Sequence, residues 1–446
     1  MRAQTPKSNI MGNKSAKKAA DKPKHPIGAA IESFDHAVRD IEASARLFVP
    51  YSVRHLQERH QKAFADVDDA IKEAKSAKKQ VRVTAFAKLD EAFSRIDRLE
   101  KTNIPWRLEQ CLFIGLFSVF DAFIGDFVGI IFSKKPELFE CIKRDINCTE
   151  ISGYSSIESL KRKIIDDYIE DLRRKSYVDQ FIQLENLFSI PLRKFEDWPA
   201  FIEAAQRRNL LTHCDGTVSE QYLKVCKDVG YNFNGDRPKI GTKLTVGAKY
   251  FLNASLLVQE VGIKLAHTLW RKLFESELET ADQHLSELIY EYLVNAKLPA
   301  AVCLGEFAYS QKKISNEQWK LVISVNYCIA LLQSGAHEKC GQIINAFDLS
   351  SALPEFRLAK AVLTRNFSEA ARVMRLIGKE GEFINEMNYR IWPLFKEFRS
   401  TPEFQKAYKE IYRYDYLLEV KKVAAEKKHE TPEIKSLGAA PNTSRS

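Results

Sequence analysis

Apolar residues recur at helical spacing almost from the start of the chain. Ile31, Phe34, Val38, Ile41 and Ala45 share one face of a helix opening near Ala29. A second amphipathic stretch runs from about Val53 to Leu99, interrupted near Lys75–Lys79, with Pro50 and Pro105 expected to punctuate these segments. Cys111 to Phe132 is almost wholly apolar and predicts a helix ending at Pro136. Helices follow over about Ser156–Lys175 and Val178–Phe188, and Pro191 breaks the run. Asp197-Trp198-Pro199 reads as the start of a helix carrying Phe201, Ile202, Ala205, Leu210 and Leu211, which stops at Asp215-Gly216. Thr217 with Glu220 has the spacing of a capping box for a helix over Val218 to about Val229. Tyr231 to Val246 reads as a loop, with room for a short hairpin, and Ala248 to Leu273 as a long helix.

From about Asp282 to Tyr414 the pattern changes to short helices at close spacing. Ala330-Leu331-Leu332 followed by Glu338 is echoed 31 residues on by Ala361-Val362-Leu363 followed by Glu369. Paired helices at such a period resemble tetratricopeptide-type repeats. The expected fold is therefore all-α. It divides into a tail over 1–27, an N-terminal helical module over 28–104, a helical domain over 105–276, a helical-repeat region over 277–418 and a second tail over 419–446. Both tails lack the large apolar residues needed to offset chain entropy and are expected to be disordered.

Charge sharpens this division. The 446 residues hold 68 Lys and Arg against 59 Asp and Glu, a net charge of +9. Residues 1–26 contain seven basic residues against Asp21 alone, and residues 421–446 six against three, so the body between is neutral. A wholly basic, nucleic-acid-coating surface is excluded; any such site is a local patch. The eight cysteines form no CxxC pair, which speaks against a zinc site or a disulfide framework and fits a reducing cytosol. The first residues lack the apolar core of a secretory signal, and a cytoplasmic location is expected. Cys111–Phe132 is long enough to span a bilayer, but Asp121 and Asp126 would each cost about 2.5–3.5 kcal/mol at a helix centre in lipid. It reads as the central buried helix of a domain with no membrane partner.

One constellation carries chemistry. Gln206-Arg207-Arg208-Asn209-Leu210-Leu211-Thr212-His213 places an Arg and a His five residues apart at a helix end, with Asn209 directly after the Arg. Five residues turn about 140° on a helix, so the two side chains start on different faces. The length of Arg and the helix end at Asp215-Gly216 would let both reach one anion. Arg offers a permanently charged planar fork for phosphate oxygens. His exchanges a proton near neutral pH, and Asn can orient a hydroxyl or the imidazole. This set suits metal-independent RNA cleavage, in which the ribose 2′-hydroxyl attacks its own phosphate. Asp121 could tether the Arg or His, or cap a neighbouring helix. Arg207 could add a phosphate contact, or be a solvated face charge. Arg54 and His60 meet the loose Arg-to-His spacing in an N-terminal helix and are assigned no chemistry. No P-loop, Gly-rich dinucleotide loop, Gly-x-Ser-x-Gly or paired-carboxylate motif appears.

Read as Arg-polar-x3-His, Arg208-Asn209-Leu210-Leu211-Thr212-His213 resembles the signature of HEPN domains, the higher eukaryotes and prokaryotes nucleotide-binding family. The Leu112–Phe132 helix with Asp121 resembles the family's first core helix. The continuation His213-Cys214-Asp215-Gly216-Thr217-Val218 with Tyr222-Leu223, and Gly241-Thr242-Lys243-Leu244-Thr245-Val246 with Tyr250-Phe251, are similar to runs in bacterial members. The resemblance covers about Trp106–Phe274. It implies a helical bundle that dimerises so that two Arg/His motifs face one cleft. It also implies endoribonuclease activity, often in phage defence, abortive infection or toxin–antitoxin systems, with RNA as substrate and no cofactor or metal. On this reading Arg208 holds the scissile phosphate, His213 is general acid/base and Asn209 orients the groups. The helical repeats would offer a surface to a protein partner. The alternative is a non-catalytic scaffold in which the same domain only dimerises or binds a ligand.

Overall fold

The computed structural model describes residues 25–76, 79–147, 151–233, 235–349 and 352–418. The tails expected over 1–27 and 419–446 lie outside these residues, except for 25–27. The described residues are almost entirely helical and contain no named strand. The chain forms two compact units, Pro23–His284 and a C-terminal unit beginning at Leu285. The module expected over 28–104 and the domain expected over 105–276 thus fall in one unit, and its boundary lies eight residues beyond the expected one.

In the first unit α1 runs unbroken over Pro26–Ser76. Pro50 was expected to break it and does not. The proline lacks an N–H and orphans the Arg46 carbonyl one turn back, but Arg46 is exposed, so water can take that role. Ser52 Oγ donates to the Val49 carbonyl at 2.7 Å beside the proline. The C-terminal half of α1 pairs antiparallel with α2 (Lys79–Glu100). Ala63, Val67, Ala92, Ile96 and Leu99 are buried at this seam. Glu73 pairs with Lys88 at 2.7 Å and Asp66 with Arg95 at 2.5 Å, which sets the register.

The N-terminal half of α1 packs instead on α3 (Ile104–Lys134) and α8 (Ala248–Leu273). Phe34 stacks on Phe123 with ring centroids 4.4 Å apart, and Gly262 on α8 leaves the space its ring occupies. Asp35 is fully buried and accepts from Gln259 Nε2 at 2.5 Å. α3 is the central helix. Phe113, Phe117, Phe120, Ile124, Phe127, Val128 and Ile131 are buried along it. By length and composition α3 could cross a membrane; here half of its apolar window is buried in protein.

Around α3 stand α4 (Ile157–Arg174), α5 (Tyr177–Phe188) and α6 (Trp198–His213). Ser156 and Ser159 cap α4 reciprocally, and Ser176 caps α5. Pro199 sits in the first turn of α6, where its missing N–H costs nothing. Phe201 of α6 lies against Phe117, Phe120 and Tyr177, and these rings anchor α3, α5 and α6 to one another. Helix α7 is Glu220–Asp228, and its cap is Ser219, not Thr217 as expected. Thr217 pairs as an isolated antiparallel bridge with Lys243, so its backbone is committed elsewhere.

The second unit takes in the end of α9 (Leu278–Val294), then α10 (Leu298–Tyr309), α11 (Glu317–Gln333), α12 (His337–Asn345), α13 (Pro354–Leu363), α14 (Phe367–Ile377), α15 (Glu386–Ile391) and α16 (Pro402–Tyr412). The sequence echo marks the turns joining α11 to α12 and α13 to α14. In each, an N–H reaches five residues back: Ala336 to Leu331 and Asn366 to Ala361, both at 2.8 Å. The residue before it, Gly335 or Arg365, has positive φ. The α9–α10 turn repeats the device, with Lys297 reaching Tyr292 at 2.8 Å and Ala296 at φ 54°. Three helical hairpins thus share one closing turn, one more than the sequence echo indicates.

Candidate functional site

Helix α6 ends at His213 because the chain turns left-handed at Asp215 (φ 48°) and Gly216 (φ 80°). Cys214 N and Gly216 N both donate to the Leu210 carbonyl, at 2.8 and 3.0 Å. A side chain at position 216 would meet the Leu244 carbonyl oxygen at 2.5 Å, so only glycine fits. Beyond the turn, Leu244 N donates to Gly216 O and Val218 N to Thr242 O, each at 2.9 Å. The two Gly-Thr runs singled out in the sequence therefore lie side by side and fix the helix end from outside. Gln110 Nε2 on α3 satisfies the Leu211 carbonyl at 2.8 Å.

Arg208 turns toward α3. Its Nη2 lies 3.3 Å from Asp121 Oδ2, and its Nη1 donates to Asn209 Oδ1 at 3.1 Å. Asp121 Oδ1 accepts from the Tyr177 hydroxyl of α5 at 2.7 Å. Three helices thus converge on one carboxylate. Burial pushes the Asp121 carboxyl up from its ordinary value, against the opposing pull of Tyr177, Arg208 and Arg173. Burial also raises the Tyr177 hydroxyl well above its usual range, with the neighbouring Asp121 charge adding to it, which keeps the phenol a proton donor. Arg173 of α4 lies over Gly125, where a Cβ would collide with its guanidinium. It donates to the Asp121 and Ala122 carbonyls, both at 3.2 Å, and pairs with Asp126 at 3.4 Å.

His213 is exposed at the helix terminus and makes no hydrogen bond among the described residues. The structure thus brings Arg208, Asn209 and Asp121 together, while His213 faces solvent with no bond to Arg208. Arg207 does not join them. It pairs with Glu203 at 2.9 Å, donates to the Thr245 carbonyl at 3.2 Å and lies 3.9 Å from the Tyr250 ring centroid. Glu203 is nearly inaccessible and also accepts from the Tyr222 and Tyr250 hydroxyls at 2.6 and 2.7 Å. Arg207 is therefore a structural cation that ties α6 to α7 and α8, and it is not available to a phosphate.

The sequence does not point to Tyr177, which lies 56 residues from Asp121. No local spacing marks it; only the fold brings it there. Comparison with family models, with curated proteins and with solved structures finds no match for the chain.

Proposed function

We propose that the protein is a cytoplasmic, metal-independent endoribonuclease of HEPN type, acting in phage defence, abortive infection or a toxin–antitoxin system. The observation that carries this reading is the end of α6, where Arg208 is fixed by Asp121 and Asn209 one turn before the exposed His213. A guanidinium held in place by a carboxylate is pre-organised to receive a phosphate without first being ordered. An imidazole open to solvent can exchange its proton with a ribose hydroxyl. The 140° offset between the two side chains favours a homodimer, in which Arg208 of one protomer and His213 of its partner would serve one phosphate.

The repeated hairpins of the C-terminal unit, similar in plan to tetratricopeptide-type repeats, would receive a protein partner. A cavity of about 580 Å³ lined by Ala296, Leu298, His337, Thr364, Arg365 and Glu397 gathers their turns into one surface. A second reading, a non-catalytic scaffold, is favoured by the pairing of Arg208 within its own chain.

The deciding experiment is RNA cleavage by the purified full chain in excess chelator, wild type beside His213→Ala. Cleavage by the wild type alone is the expected result; its loss in chelator with the fold retained would remove the mechanism. Mixing His213→Ala with Arg208→Ala chains should restore activity at one of the two composite sites. Cleavage by a monomer of 51.1 kDa at full rate would remove the dimer.

A further inference from the structure

Two residues beyond His213, Asp215 stands between two cations, Lys243 and Arg107, to which the reading of the Arg208/His213 motif gives no role. Lys243 Nζ lies 2.6 Å from its Oδ2, and Arg107 Nη1 lies 3.3 Å from its Oδ1. Both cations also lie over the Trp106 ring, at 4.4 Å for the Arg107 guanidinium and 4.8 Å for Lys243 Nζ. Trp106 and Arg107 come from the first turn of α3, Lys243 from the bridge to Thr217, and Asp215 from the turn that ends α6.

All three charged side chains are about half exposed or more. At that exposure an ion pair is screened by solvent and adds little, so stability does not account for the arrangement. What it does is hold two like charges side by side. The Trp106 face attracts each of them, and the Asp215 carboxylate screens their repulsion. Without Asp215 the pair has a charge of +2, set against the turn that follows the exposed His213. Asp215 also has the left-handed backbone that Asp and Asn adopt more readily than most residues, which aims its carboxylate into the pair.

We propose that Arg107 and Lys243, held on Trp106, form a subsite for a backbone phosphate of the RNA strand flanking the scissile position, and that Asp215 is an internal stand-in for that phosphate. The proposal rests on the ribonuclease reading of Arg208 and His213 and extends it to substrate binding. A phosphodiester brings the same single negative charge and two acceptor oxygens as the carboxylate it displaces. Binding therefore exchanges one ion pair for another and keeps the cations on the ring.

The test is binding of a labelled single-stranded RNA, and of the DNA of the same sequence, to full-length protein carrying His213→Ala so that the RNA stays intact. Added to that chain, Lys243→Ala and Arg107→Ala should each weaken binding several-fold, equally on RNA and DNA. Each should also reduce the slope of log K against log salt by about 0.7. Lys243→Arg should bind as its parent does. Asp215→Asn keeps a residue that tolerates positive φ and removes the competing charge, so it should tighten binding several-fold. These opposite signs are what a merely structural triad would not give. If the parent binds RNA but the Lys243 and Asp215 variants match it or shift together, the subsite is wrong and the ribonuclease reading stands. Losses confined to RNA would overturn the assignment to phosphate. A parent that binds no RNA at low salt would overturn both.

Discussion

The Tyr177 hydroxyl donates at 2.7 Å to one oxygen of Asp121, the carboxylate whose other oxygen meets Arg208. The phenol is buried and comes from a different helix than either partner. Replacing it with Tyr177→Phe deletes one oxygen and leaves the ring packing intact. Asp121 then loses a donor that lowers its pKa, so its carboxyl should rise further, and stability should fall by about 1–3 kcal/mol. Carbon-detected titration of Asp121 reads the first effect, and denaturant unfolding the second. An unchanged Asp121 titration would mean the hydroxyl does not govern that carboxylate.

Glu203 presents a harsher case. Its carboxylate serves Arg207, Tyr222 and Tyr250 at once. Glu203→Gln keeps the shape and leaves Arg207 a buried cation without a counter-charge, at an expected cost of about 3–5 kcal/mol. Tyr222→Phe and Tyr250→Phe each remove one bond to a charged acceptor and should cost about 1.5–3 kcal/mol. Chemical denaturation of the three variants should preserve this order.

Acid should destabilise the first unit through His267. It is wholly buried, with Nε2 3.1 Å from His284 Nδ1. Burial, then the charges of His284 and Arg271, hold its pKa well below the ordinary value. In the unfolded chain it titrates near pH ~6.5. As pH falls past that value the unfolded chain takes up a proton that the folded one refuses, so stability present at higher pH is lost. The slope is at most about 1.4 kcal/mol per pH unit for this group. Urea midpoints from about pH 7.5 to about pH 5.5 should fall in the wild type and flatten in His267→Gln. Parallel curves would assign the loss to another group.

Local signals were legible where the chain's neighbours in sequence are its neighbours in space. The helix Ala248–Leu273 and the start of α6 at Trp198 follow directly from apolar spacing and from Pro199. The Arg208–Asn209–His213 run could be found because its members share one helix. The rest was set by contacts across long separations. Arg207 and Arg208 are adjacent in sequence, yet one faces Glu203 and the other Asp121, and nothing in the sequence tells them apart. Arg107 meets Asp215 from 108 residues away. Thr217 has capping-box spacing, but a bridge to Lys243 had already engaged its backbone. Pro50 did not stop a helix in which the carbonyl it orphans belongs to the exposed Arg46.

The two halves of α1 close contacts of very different sequence separation. Its C-terminal half closes on α2 through Asp66 and Arg95, only 29 residues apart, whereas its N-terminal half closes on α8 through Asp35 and Gln259, 224 residues apart. Loop-closure entropy makes the second contact costlier than the first by about 1.8 kcal/mol, from (3/2)RT ln(224/29). In a chain emerging from the ribosome, the α1–α2 hairpin is complete long before Gln259 exists. Helix propagation from that hairpin toward residue 26 then extends a rod whose far end has no partner yet. Phe34 can meet Phe123 once α3 exists, but Asp35 has its partner only when α8 brings Gln259, so one helix carries both a short-range closure and a long-range one.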